Sequence, residues 1–98
     1  MSIHPLLTYI RSLKIDILLM QETHAHSPDI IEQLETRLKP YSSTWSSRCG
    51  ILSFNPNVNL VYPFVKNDER VILVKAVHST NGFHPFYVLN LYAPSCCI

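Results

Sequence analysis

Charge is what this chain has least of. Acidic and basic side chains make up 15% of its 98 residues and nearly cancel, leaving a net charge of +1. A chain so close to neutral has no global basic field to hold nucleic acid, so any phosphate binding must come from local geometry or a metal. Long apolar runs are lacking too. No stretch of about 18 apolar residues occurs, so no membrane partner is expected. The opening Met1-Ser2-Ile3-His4-Pro5 has no basic segment leading into a long apolar core, and no secretory signal is read there. Cysteine is sparse and odd in number. Cys49, Cys96 and Cys97 make no disulfide framework, and free thiols fit an intracellular chain. The last four residues, Ser95-Cys96-Cys97-Ile98, carry serine where a prenylation box needs cysteine.

What the chain does have is apolar side chains, at 47% of the total. That balance suits a mostly buried chain better than a small free-standing domain with much surface to solvate. Leu6, Leu7, Ile10 and Leu13 fall on one stripe of a short first helix, with Pro5 in its first turn. Ile15 to Met20 is an unbroken apolar run. It predicts a buried strand with both faces covered, of the parallel kind that carries chemistry just past its carboxyl end. Thr23-His24-Ala25-His26 follows as a loop. Ser27-Pro28-Asp29 then opens a second helix, with Ser27 as cap, Pro28 at the first helical position and Asp29 at the positive end of the dipole. Ile30, Ile31, Leu34 and Leu38 form its apolar stripe, Glu32, Glu35, Arg37 and Lys39 face water, and Pro40 ends it.

The period then changes. Thr44–Ser47, Gly50–Phe54, Val58–Tyr62, Arg70–Val77 and Phe86–Tyr92 read as strands, separated by Asn55-Pro56-Asn57, Asn67-Asp68-Glu69 and Ser79-Thr80-Asn81-Gly82. The last two are expected to form a hairpin across His78–Pro85. The expected fold class is α/β: one mostly antiparallel mixed sheet with two helices on one face. Val71-Ile72-Leu73-Val74 and Tyr87-Val88-Leu89 are apolar on both sides, and two short helices cover only one face. A second covering layer is therefore expected outside these 98 residues. An uncovered sheet face would leave the chain prone to aggregation or pairing.

Two motifs stand at the carboxyl ends of apolar strands, Gln21-Glu22-Thr23-His24 and Asn90-Leu91-Tyr92-Ala93-Pro94. In this order and spacing they resemble the endonuclease/exonuclease/phosphatase superfamily, with its DNase-I-like fold. The likeness is greatest to the endonuclease domain of LINE-type (non-LTR) retrotransposons. Cys49-Gly50-Ile51-Leu52-Ser53-Phe54 is similar to the family's glycine-led strand, and Glu69-Arg70-Val71-Ile72-Leu73-Val74 to the strand that follows. The resemblance runs from about His4 to Pro94 and implies the N-terminal half of a four-layer α/β sandwich.

By that resemblance the parent domain is a metal-dependent phosphodiesterase acting on DNA. Glu22 would be the ligand of Mg²⁺ or Mn²⁺, and Tyr92 would lie by the scissile phosphate, where a phenol donates a hydrogen bond. Gln21, Thr23, His24 and Asn90 would support the site. Nuclear location would follow for a retroelement protein. Relatives acting on phospholipid or inositol phosphates share the fold, but the two motifs favour the retroelement nuclease. His24 and His26 suggest a metal pair, yet nothing with ligand spacing accompanies them. His4, His78 and His84 read as surface residues, and Trp45 as core.

The departures from the family pattern are as informative. The family's first strand, with an asparagine near the metal, has no counterpart ahead of the first helix. Ser95 stands where the family has asparagine. The Asp-x-Asn strand and the final Asp-His pair match no residue of the 98. By the resemblance, residues 1–98 are expected to be a partial domain that lacks the first strand and the C-terminal half. It is expected to hold the metal weakly or not at all and to be inactive alone. The alternative is a non-catalytic remnant or an interaction module.

Overall fold

The structure is a computed structural model that describes residues 8–9, 12–25, 27–66 and 68–93. Thr8, Tyr9, Ser12 and Leu13 are helical, with Leu13 exposed. Leu6, Leu7 and Ile10, which carry the rest of the expected first stripe, lie outside the described residues, as do His4, His26 and residues 94–98.

The ordered elements run β1 (Ile17–Gln21), α1 (Pro28–Leu38), β2 (Ser42–Trp45), β3 (Cys49–Ser53), β4 (Val58–Lys66), β5 (Val71–His78) and β6 (Phe86–Leu91). They form two three-stranded sheets, in the orders β1-β3-β2 and β4-β5-β6. Every pairing in both is antiparallel. The class is mixed α/β with strands predominating, and two sheets replace the single sheet expected. The parallel character expected of β1 is also corrected. It pairs antiparallel with β3, Gln21 opposite Cys49 and Ile17 opposite Ser53, and it is an edge strand whose residues stay partly open to solvent. β3 takes the buried place instead, with all five residues covered.

The period-two alternation of β5 shows how the layers stack. Ile72, Val74 and Ala76 are buried, and their cross-strand partners Asn90, Val88 and Phe86 share that face. With Val58 and Leu60 of β4 they pack on Cys49 and Ile51 of β3, and Ile17, Phe83 and Val88 close the margin. This is the core between the sheets. On the other face of the first sheet, Leu52 is buried and Ser43, opposite it, bonds to α1. The Glu35 carboxylate accepts from Ser43 Oγ and from Trp45 Nε1 (3.4 Å). Glu35 therefore does not face water, as its place on the helix suggested. It ties the helix to β2. The layers run helix, sheet, sheet.

The outer face of the second sheet has no cover among the described residues. Tyr87 is 66% exposed, Leu89 57% and Leu91 56%, with Phe64 beside them. The two-sided apolar character of β5 and β6 is thus met on one side only, and by another sheet rather than by helices.

Local signals account for the rest. Ser27 caps α1 and its side chain accepts from Ile30 N (3.4 Å), Pro28 opens the helix, and Lys39 closes it in the left-handed region at φ 53°. β4 does not stop before Pro63 as expected. It continues to Lys66 through a register shift between Val61 and Phe64, with Tyr62 at φ 54°. A bulge lets an edge strand carry a proline without losing its ladder. The β5–β6 hairpin forms as expected, and His78 organises it. His78 Nδ1 accepts from Thr80 N (3.2 Å) and Gly82 N (3.0 Å), so this histidine is a turn-builder and not a bare surface residue.

Candidate functional site

Asn90 is the joint between the two sheets. It lies on the inner face of β6 and is 2% exposed. Its Nδ2 donates to the carbonyls of Met20 and Gly50, each at 3.0 Å. Those carbonyls belong to β1 and β3, so one side chain of the second sheet joins two strands of the first. From the other side, Gln21 Nε2 donates to the Leu91 carbonyl (2.7 Å) and reaches Asn90 Oδ1 (3.4 Å). The buried Asn90 amide is satisfied on both its nitrogen and its oxygen, with the exposed Gln21 closing the network from the solvent side. The ends of β1 and β6 are therefore held together, across two sheets and not within one.

The residues that follow each strand meet as a result. Tyr92 Oη donates to Glu22 Oε1 at 3.3 Å across 70 positions of sequence. Tyr92 N bonds to the Arg70 carbonyl (2.7 Å), which continues the β5–β6 ladder by one step and fixes the ring. Glu22 is exposed, so its carboxylate is open to a ligand from solvent. Thr23 braces the opposite side. Its N–H donates to the Arg48 carbonyl (3.3 Å) and its hydroxyl to that of Ser46 (3.5 Å).

Glu22 (φ 55°) and His24 (φ 52°) both adopt left-handed backbone. For a non-glycine residue that costs on the order of 1 kcal/mol, and six other described residues share the conformation, among them Lys39 at the helix end and Tyr62 at the bulge. His24 is exposed. Of the six residues singled out from the sequence, Gln21, Glu22, Thr23, Asn90 and Tyr92 are joined by these bonds to the meeting of β1, β3 and β6. His24 follows on the strained loop. Among the described residues no group of three or more His, Cys, Asp or Glu is placed to hold a metal ion.

Two arginines were missed. Arg48, just before β3, has its guanidinium carbon 5.9 Å from the centre of the Tyr92 ring. Arg70, opposite Tyr92 on the ladder, has a buried Nε with no hydrogen-bond partner. The only sequence signal for either was a cation next to an apolar strand. Its meaning depends on which strands pair.

The turn beneath is tightly knit. The Ser46 hydroxyl accepts from Arg48 N (3.2 Å) and Cys49 N (3.1 Å) and donates to the Glu69 carbonyl (2.7 Å). It thereby joins the β2–β3 turn of one sheet to the β4–β5 turn of the other. Gly50 is needed for close approach, since a Cβ there would meet Trp45 Cε3 at 2.7 Å. Trp45 is accordingly half-buried against the backbone of β3, on the helix side of the sheet.

No helix among the described residues is long and apolar enough to cross a membrane. Comparison with protein-family models, with curated proteins and with solved structures finds no significant match to this chain.

Proposed function

We propose that the meeting of β1 and β6 is the carboxylate side of a metal-dependent phosphodiesterase site, from a domain that hydrolyses nucleic-acid phosphodiesters. The observation that carries this reading is the contact of Glu22 with Tyr92, an acid and a phenol brought from opposite ends of the chain by paired strand ends. The layer order of helix, sheet, sheet, with one apolar face left open, supports kinship with the four-layer DNase-I-like sandwich of LINE-type endonucleases.

The donors suit Mg²⁺ or Mn²⁺. Magnesium favours oxygen ligands and is commonly held by one or two carboxylates together with water and substrate phosphate. Glu22 would be the protein ligand. A metal bound there would polarise a phosphoryl oxygen and stabilise charge on the leaving group. Tyr92 would donate its hydroxyl to a phosphate oxygen in exchange for its present bond to Glu22. Asn90 and Gln21 keep the strand ends, and with them the carboxylate and phenol, in register. Positioning of this sort accounts for much of what such a site contributes.

Hydrolysis also needs a group to take the proton of the attacking water. Neither Glu22 nor Tyr92 is assigned that task, so we propose that the 98-residue chain alone does not hydrolyse its substrate. Plasmid incubated with the chain in Mg²⁺ should stay supercoiled, and nicking that disappears in Glu22→Ala would show an active enzyme instead. Metal binding is read separately. Mn²⁺ should broaden the NMR signals of Glu22 and Thr23 in the native chain but not in Glu22→Gln. Equal broadening in both variants would remove Glu22 as the ligand.

A second reading, a non-catalytic interaction module, is favoured by one observation. Tyr87, Leu89 and Leu91 present a contiguous apolar surface on the outer face of the second sheet. Exposed patches of this kind mark contact sites.

A further inference from the structure

Arg48 stands near Tyr92, the partner of Glu22, with no task in the reading above. Its guanidinium carbon is 5.9 Å from the Tyr92 ring centre, within the range of a cation–π contact. Among the described residues the guanidinium makes one hydrogen bond, from Nε to the Asp68 carbonyl (3.2 Å). That bond holds one edge of the group and leaves its two Nη amines without a partner among the described residues. Of the two acids on the facing β4–β5 turn, Asp68 meets the arginine through its backbone carbonyl, and the Glu69 carboxylate is engaged by Ser47 N (3.2 Å) and Ser47 Oγ (3.1 Å). An arginine held by one edge, lying near an aromatic ring and not neutralised by the adjacent acid, is arranged for an anion. The planar fork matches the oxygens of a phosphate in two parallel bonds.

We propose that Arg48 anchors the phosphate at this site, taking two oxygens of a phosphodiester through its Nη amines beside the Tyr92 hydroxyl. The assignment rests on the reading of the site as one for phosphodiesters, but not on the metal. In a chain of net charge +1, one placed cation supplies locally what the whole molecule does not. The Thr23–Arg48 backbone bond makes the placement specific, because it fixes the arginine in register with the residue after Glu22.

The test is anisotropy of a fluorescein-labelled oligothymidylate with the full chain in EDTA, where Glu22 has no metal to contribute. The native chain should bind, more weakly as salt rises. Arg48→Ala should lose about tenfold in affinity, with a salt slope lower by about one. Arg48→Lys should keep the slope and recover part of the affinity. Glu22→Gln should bind at least as well as the native chain. Inorganic phosphate, at constant ionic strength, should displace the oligonucleotide from the native chain.

Failure of the native chain to bind, equal binding by Arg48→Ala, or no displacement by phosphate would each overturn the proposal. Should Arg48→Ala fold poorly by circular dichroism, the native chain decides. The Arg48 Nε–H and Tyr92 ring signals must shift together as oligonucleotide is added, and no shift sinks the assignment. Loss of binding in Arg48→Ala without Mn²⁺ broadening at Glu22 would keep the anchor and discard the metal reading. Broadening at Glu22 with unchanged binding in Arg48→Ala would do the reverse.

Discussion

At the scale of single residues, Asn90 matters most to the shape of the site. Its two donors serve carbonyls of two strands in the opposite sheet. Alanine there would remove both bonds between the sheets, each worth about 0.5–1.5 kcal/mol net, while the two carbonyls keep their places in the β1–β3 ladder. Asn90→Ala should therefore lower the urea midpoint clearly, and Asn90→Asp, which keeps the shape but loses the donors and brings in a charge, should lower it further. An unchanged midpoint in Asn90→Ala would mean the sheets are held by their apolar faces alone. The motif was legible in the sequence as a strand end near a site. That Asn90 bonds to Met20 and Gly50 was not, because the side chain acts on strands distant in sequence and in another sheet. Arg48 and Arg70 were illegible for the same reason, since their place beside Tyr92 depends on the β1–β3 and β5–β6 registers.

At the scale of elements, the legible parts are those whose causes are local. Ser27-Pro28-Asp29 specifies the start of α1 because cap, first-turn proline and dipole partner all lie within three residues. The β5–β6 hairpin was legible from its turn residues. What failed was the side of α1 that meets the sheet. The charge of Glu35 predicts a solvated side chain, yet it accepts bonds from Ser43 and Trp45. A carboxylate beside a hydroxyl and an indole N–H is better satisfied there than apolar packing alone would suggest. Glu35→Ala should loosen α1 from β2, shift Trp45 emission to the red, and cost about 1 kcal/mol. Unaltered Trp45 emission would show that the helix is placed by Leu38 rather than by Glu35. The division into two sheets was also missed. Apolar periodicity reports which residues want cover and does not say what provides it.

At the scale of the whole molecule, the open face of the second sheet dominates behaviour in solution. Tyr87, Leu89, Leu91 and Phe64 lie together in water, with Lys75 the cation of that face on β5. The chain in isolation should bind an apolar dye such as ANS and self-associate as concentration rises. Leu89→Lys should reduce both effects with little loss of stability, because no buried contact is removed. A monomer that melts cooperatively without binding dye would show that this face needs no partner.

The two margins of that sheet are unequal. On β4, the bulge at Tyr62-Pro63 interrupts the register, and Leu60 N is already engaged by Ser42 Oγ (3.2 Å). On β6, Tyr92 N points inward to Arg70, so alternation turns the backbone groups of Tyr87 and Leu89 outward. Among the described residues, the β6 margin at Tyr87 and Leu89 is thus the more regular one for a joining strand. Strand addition to this sheet is therefore directional, since a joining strand finds its ladder alongside Tyr87 and Leu89 and a broken one beside the bulge.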